Sequence, residues 1–184
     1  MEEPNQVLKQ EHHATEELLT AMDEMATQAG VLGKLPAKDV EDALTVIVGF
    51  VDKCHHAKEE KVLFPSLSKA SPDVGAELAR RLTSDHTAFR QLAGSMKTAL
   101  ARAGSDSQAR TLLVKNIGTY TRLVRAHIGV EESDLFREVD RAIQPDERAR
   151  VSIEFERVEE EEVGHGMHEK FHNMIESLSK KYGT

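Results

Sequence analysis

Apolar positions recur at intervals of three and four residues along four long stretches of this chain, the period of amphipathic helices. Leu8, Leu18, Leu19, Met22 and Met25 predict a first helix from about Asn5 to Gln28, ending near Gly30. Gly30 to Lys34 reads as a loop, and Pro36 suits the start of a second helix. That helix runs through Leu44, Ile47, Val48 and Val51 and is expected to stop at Phe64, because Pro65 follows. After a connection over Ser66 to Pro72, Asp73 opens a third helix through Leu78, Leu82, Phe89, Leu92, Ala93 and Met96 to Gly104. A fourth starts near Asp106 and passes through Leu113, Ile117, Tyr120 and Leu123 to about Ile143. Pro145-Asp146-Glu147 opens a further helical segment. Its Val151, Phe155, Val158 face does not continue into the Met167, Phe171, Met174, Leu178 face, which predicts a break around Gly164-His165-Gly166. The acidic run Glu159 to Glu162 before the break reads as a solvated face.

Polar residues interrupt the apolar lines at matching places. Val48, Val51, His55, Glu59 and Leu63 share one face of the second helix; Tyr120, Leu123, His127, Glu131 and Leu135 share one face of the fourth. Both stretches carry a histidine, paired glutamates at the next turn (Glu59-Glu60 and Glu131-Glu132) and then Leu-Phe. His12 lies on the Leu8, Thr15, Leu19, Met22 line, and His86 repeats its register. An acid precedes each of these two, Glu11 and Asp85, and the apolar residues that follow correspond. The order is an internal duplication of a helix pair. Short connections make neighbours antiparallel, which predicts an all-α, up-down four-helix bundle over residues 1–144. Residues 145–184 form a C-terminal helical extension, expected to pack on the bundle because its Met167, Phe171, Met174, Leu178 stripe needs a partner surface.

Antiparallel packing brings His12 and His86, near the starts of their helices, level with His55 and His127, toward the ends of theirs. Imidazoles and carboxylates in an apolar core need partners. A buried His–Glu pair would account for one copy of the pattern. The repeat of the whole register points instead to metal. Oxygen and nitrogen donors without thiolate suit iron, manganese or zinc rather than copper(I), and there are too many donors for one zinc. Helix bundles that build such sites hold pairs of iron or manganese.

The combined pattern resembles the hemerythrin-like (HHE cation-binding) proteins: His12 on the first helix, His55 and Glu59 on the second, His86 on the third, His127 and Glu131 on the fourth, and the Glu-Glu-x-x-Leu-Phe-Pro tail after His55. The resemblance covers roughly Asn5 to Ile143. It implies a non-haem di-iron centre, two Fe ions with an oxo or hydroxo bridge, and bridging glutamates. Members carry or sense dioxygen, handle nitric oxide or peroxide, or take part in iron supply. Oxygen carriers place a further histidine four residues after the third-helix one; here that position is Arg90. A fifth ligand would then come from elsewhere, or water would fill the place. The extension offers His165, His168 and His172, with His168 nearest the apolar border and the other two pointing away. The alternative is that all three are surface residues.

Other residues take plainer readings. His13 and His56 point sideways beside ligands, or replace them if the register slips. Glu60 and Glu132 accept hydrogen bonds from ligating imidazoles, or lie on the surface; in the first case either could shuttle a proton between peroxide oxygens. Arg90 could favour an anionic hydroperoxide. Tyr120 and Cys54 read as core residues.

Composition narrows the remaining classes. The 184 residues suffice for one domain with an appendage, and the formal charge of −8 argues against a nucleic-acid binder. No apolar run reaches the length of a membrane span, and Met1-Glu2-Glu3-Pro4 does not begin a signal peptide. A lone cysteine, Cys54, excludes an internal disulfide, and a cytoplasmic protein is the simplest expectation. With no output domain in view and Arg90 in place of the carriers' histidine, the expected function is peroxide disproportionation (catalase-like). Reversible dioxygen binding, nitric oxide handling or iron delivery are the alternatives, and the small oxidant is H2O2, O2 or NO.

Overall fold

The computed structural model describes residues 2–183; Met1 and Thr184, the outer ends of the expected bundle and extension, lie outside the described residues. Among these residues every regular element is helical. None is long and apolar enough to cross a membrane.

Helix α1 spans Pro4–Gly30, with proline in its first turn, where a missing N–H costs nothing. Helix α2, Ala37–Val46, continues without interruption through two π-helical stretches, Ile47–His56 and Glu59–Leu63, into α3, Phe64–Ala70, so that 37–70 forms one rod. Helix α4 is Val74–Ala103. Helix α5, Ser107–Val130, passes through a third π-helical stretch, Glu131–Leu135, into α6, Phe136–Ala142. Asp106 caps α5 by accepting from the N–H groups of Gln108 (2.9 Å) and Ala109 (3.1 Å). Asp73 precedes α4 at its N-cap, as expected, and the side-chain bonds there come from Ser71, whose hydroxyl accepts from Gly75 N–H at 3.2 Å and donates to Glu138 at 2.5 Å. The four rods pack up-down as the duplication predicts.

The second rod does not stop at Phe64. The N–H of Phe64 bonds to Glu59 O, five residues back, so the ladder has already shifted by one residue when Pro65 arrives. The proline falls in that step, where its missing donor breaks no α-type bond, and the helix runs on to Ala70.

The extension divides into α7, Pro145–Glu162, and α8, Met167–Tyr182. Between them Gly164 (φ +92) and Gly166 (φ +75) adopt the left-handed region. Val151 and Phe155 join one core cluster with Leu8, Leu63, Leu82 and Leu135; Phe171, Ile175, Leu178 and Tyr182 join another with Leu19, Met22, Phe50 and Met96. Met167 and Met174, expected on the buried stripe, are only partly covered, since the stripe runs through Ile175 and Tyr182 instead. Phe171 seats on Gly49, where any Cβ would lie 2.1 Å from its ring. The two apolar clusters are separated along the bundle by one polar layer, at His12, His55–Glu59, His86 and His127–Glu131.

Candidate metal centre

The polar layer brings together the six residues on which the sequence pattern rests. His12, His55, Glu59, His86, His127 and Glu131 are all buried. They fall into two donor groups, His12/His55/Glu59/Glu131 and His86/His127/Glu59/Glu131, within each of which the donor atoms lie within 4.8 Å of one another. The two carboxylates belong to both groups. Glu131 reaches His12 Nε2 at 3.0 Å with one oxygen and His127 Nε2 at 2.9 Å with the other. Glu59 lies 3.8 Å from His55 Nε2 and 3.4 Å from His86 Nε2.

A second ring of acids fixes how the imidazoles face. His55 Nδ1 meets Glu11 at 2.9 Å, His127 Nδ1 meets Asp85 at 3.3 Å, His86 Nδ1 meets Glu60 at 2.8 Å, and His12 Nδ1 meets Glu132 at 3.1 Å. A carboxylate accepts only, so each Nδ1 carries the proton and each Nε2 turns a lone pair inward. His86 Nε2 and His127 Nε2 face each other at 3.0 Å. All four oxygens of Glu59 and Glu131, and His12 Nε2, are buried without a hydrogen-bond partner. Such atoms are costly unless something positive lies among them. Protons alone serve poorly. Burial and the charge of Glu131 push the Glu59 carboxyl well above its usual range. Burial would raise Glu131 as well, but His127, His12 and His55 hold it well below. Burial keeps His55 and His86 neutral by lowering them; at His127 it is outweighed by Glu131 and Asp85, which raise it. Inward lone pairs around shared carboxylates are donors that could hold metal cations.

His56 does not point sideways. It is buried, its ring stacks on His86 with centroids 3.8 Å apart, and it forms a donor group with His86 and His127. The π-helical stretch ending at His56 widens the turn and narrows the angle between successive side chains, so His55 and His56 both face inward. The same widening turns Val48, expected on the inner face, outward to 46% exposure. A fifth imidazole thus stands beside the centre, from the second rod rather than from position 90.

Arg90 is held away from that layer. Its guanidinium, 39% exposed, binds Asp52 at 2.7 Å and Glu60 at 2.9 Å, so both of its near partners are fixed carboxylates and it offers nothing to an anion inside. Glu60 and Glu132 sit on the Nδ1 side of their imidazoles, across the ring from the inward nitrogens. That position orients the ring and sets both carboxylates apart from the inward nitrogens. His13 is exposed, with Glu17 beside it.

His168 likewise lies outside the central groups. It joins Glu11, Cys54 and Glu159, with Nε2 3.7 Å from Glu11 and Nδ1 3.9 Å from Glu159. His172, expected to point away, packs against Phe50 and His168, with centroids 5.1 and 4.6 Å apart; His165 is exposed. Between Glu11 and Glu159 lies the ammonium of Lys58, 1% exposed, at 2.5 and 2.7 Å. Glu159 and Glu162, the latter paired with Lys61, are therefore half-buried against the bundle, while Glu160 and Glu161 between them are exposed as the acidic run predicts. Burial opposes the ionisation of Glu11, but His168, His55 and Lys58 hold its carboxyl well below the usual range. His168 stands beyond hydrogen-bond length, so the close contacts of His55 and Lys58 carry most of this. The Cys54 thiol is pushed up to about 12 by burial and by Glu11, and stays protonated at neutral pH. Glu11, Lys58 and Asp85 escape sequence reasoning because their partners are far along the chain. The one signal was the acid repeated before His12 and His86.

A family model described as Hemerythrin HHE cation binding domain matches residues 3–139. No curated protein and no solved structure matches the chain.

Proposed function

Since the chain belongs to the hemerythrin HHE cation-binding family, we propose that its buried His/Glu layer holds two irons and that the protein disproportionates hydrogen peroxide. His12 and His55 would hold one ion and His86, His127 and His56 the other, with the Glu59 and Glu131 carboxylates, common to two of the donor groups, shared between them. When bound, such a pair supplies a two-electron couple, so one peroxide is oxidised to dioxygen and a second reduced to water without an outside reductant.

The observation that carries this reading is the ring of acids. Glu11, Asp85, Glu60 and Glu132 each take an Nδ1–H. Carboxylate acceptors make imidazole a more electron-rich donor and favour the oxidised pair over the reduced one that reversible dioxygen binding requires. Phe136 stacks on His12 and Phe64 on His86, at 5.6 and 5.9 Å, and these apolar faces exclude larger reactants and bulk water. The buried hydroxyl of Tyr120 makes no hydrogen bond.

One observation favours a second reading, reversible dioxygen binding. His56 restores a fifth imidazole, the number that the oxygen carriers of the resemblance use. The test separates the two. Hydrogen peroxide added to the iron-loaded protein is expected to release dioxygen, and the His55→Ala protein to release far less. No release, together with an adduct that forms in air on the reduced protein and reverses under vacuum, would assign the protein to carriage.

A further inference from the structure

A cleft of about 1040 Å3 runs between the 37–70 rod and α4, with the start of α8 along one side. Its size is that of a small-molecule site. Ile47, Val48, Phe89, Ala93, Met167 and Phe171 supply an apolar lining, and Val48 exposes nearly half of its surface there. His56 and Tyr120 also line it.

Among the lining residues four cations, Lys38, Lys53, Arg90 and Lys97, face three acids. Its acids are already committed: Glu41 to Lys38, Asp52 to Arg90 and Glu162 to Lys61. Lys53 and Lys97 line the cleft too and make no ion pair among the described residues. Two cations without an ion-pair partner thus border an apolar cleft on a chain whose formal charge is −8. We propose that the cleft binds an aliphatic carboxylate, the chain lying along Val48, Phe89 and Phe171 and the carboxylate taken at the rim by Lys53 and Lys97. Apolar burial supplies affinity, and the lysines select the anion. A protein partner fits less well, because a stable interface needs a broad surface of about 800 Å2 on each side rather than a cleft.

Gly94 allows a clean test. It lines the cleft within a helix, and a Cβ built on it meets nothing within 4 Å. Gly94→Leu therefore fills the space without disturbing the core, and removing a mid-helix glycine leaves the fold at least as stable. Dodecanoate, below its micelle concentration, is titrated calorimetrically into the metal-loaded protein. It is expected to bind one per chain, to bind Gly94→Leu at least tenfold more weakly at unchanged melting temperature, and to bind the Lys53→Glu/Lys97→Glu protein about tenfold more weakly. Dodecanol is expected to bind the parent protein more weakly than dodecanoate, and dodecyltrimethylammonium to prefer the charge-reversed protein. Equal binding of dodecanoate to parent and Gly94→Leu overturns the proposal. So do equal affinities for dodecanoate and dodecanol, no binding at all, or a protein dimer that Gly94→Leu abolishes.

Discussion

Lys58→Met removes an ammonium that joins the bundle, the extension and the centre. Lys58 Nζ lies 2.5 Å from Glu11 and 2.7 Å from Glu159, in a side chain 1% exposed. Methionine keeps the length of the chain and its apolar stem, so packing changes little. What is lost is the partner of a buried charge. Removing one member of a buried ion pair costs about 3–5 kcal/mol. Glu159 is partly exposed and turns to water at little cost, and Glu11 keeps its bond to His55 at 2.9 Å. The expected loss is therefore at the lower end, about 3 kcal/mol, or a fall in melting temperature of about 6–12 °C for a chain of this size. The pH dependence gives a second check. Glu11 titrates lower in the folded protein than when unfolded, so its contribution is present above about pH 4 and is lost as the pH falls below that. Lys58 titrates higher when folded, so its contribution is present below about pH 10 and is lost only above its folded value. The stability gap between parent and variant should be flat from about pH 5 to 9 and shrink in acid. Urea unfolding at equal metal content measures it, and adding Glu11→Gln to Lys58→Met should recover part of the loss. A gap below about 1 kcal/mol, or one undiminished at about pH 3, would refute the reasoning.

Two further outcomes are expected. Glu59→Ala or Glu131→Ala removes a carboxylate shared by both donor groups, so elemental analysis should find iron well below two per chain; an unchanged content would show that neither bridges. Truncation after Gln144 uncovers the apolar partners of Phe155, Phe171 and Ile175 and removes the acid opposite Lys58. Stability should fall and azide should react faster with the centre, whereas unchanged values for both would make the extension an independent appendage.

How far the sequence could be read depended on the helical period. The four rods, their order and the level at which His12, His55, His86 and His127 meet follow from apolar spacing and from the repeated register, and the structure places them so. The period itself changes where the chain winds as a π helix, and no residue pattern announced that. Three expectations failed together for this reason: Val48 faces out, His56 faces in, and the helix passes Pro65. Arg90 failed differently. One turn after His86 it could have faced the centre, but Asp52 and Glu60 on the neighbouring rod capture it, and such pairing across helices is invisible in one strand of sequence.

The acids around the imidazoles explain why a duplicated helix pair is needed at all. Within each repeat the acid on the first helix braces the histidine on the second, Glu11 to His55 and Asp85 to His127. Between repeats the second glutamate of each pair braces the first-helix histidine of the other, Glu60 to His86 and Glu132 to His12. One repeat alone would leave half of its imidazoles free to turn. The extension then breaks this symmetry. Glu11 is buried and clamped by Lys58, which Glu159 holds from outside, while its counterpart Asp85 is half-exposed and has no such cover. The cleft reaches the centre on that less covered side, at His56. The His12/His55 half thus carries the extension's cover, while the equally buried His86/His127/His56 half borders the cleft through His56. Were each donor group to hold an ion, the two would meet different donors and different cover, and so would not be chemically equivalent.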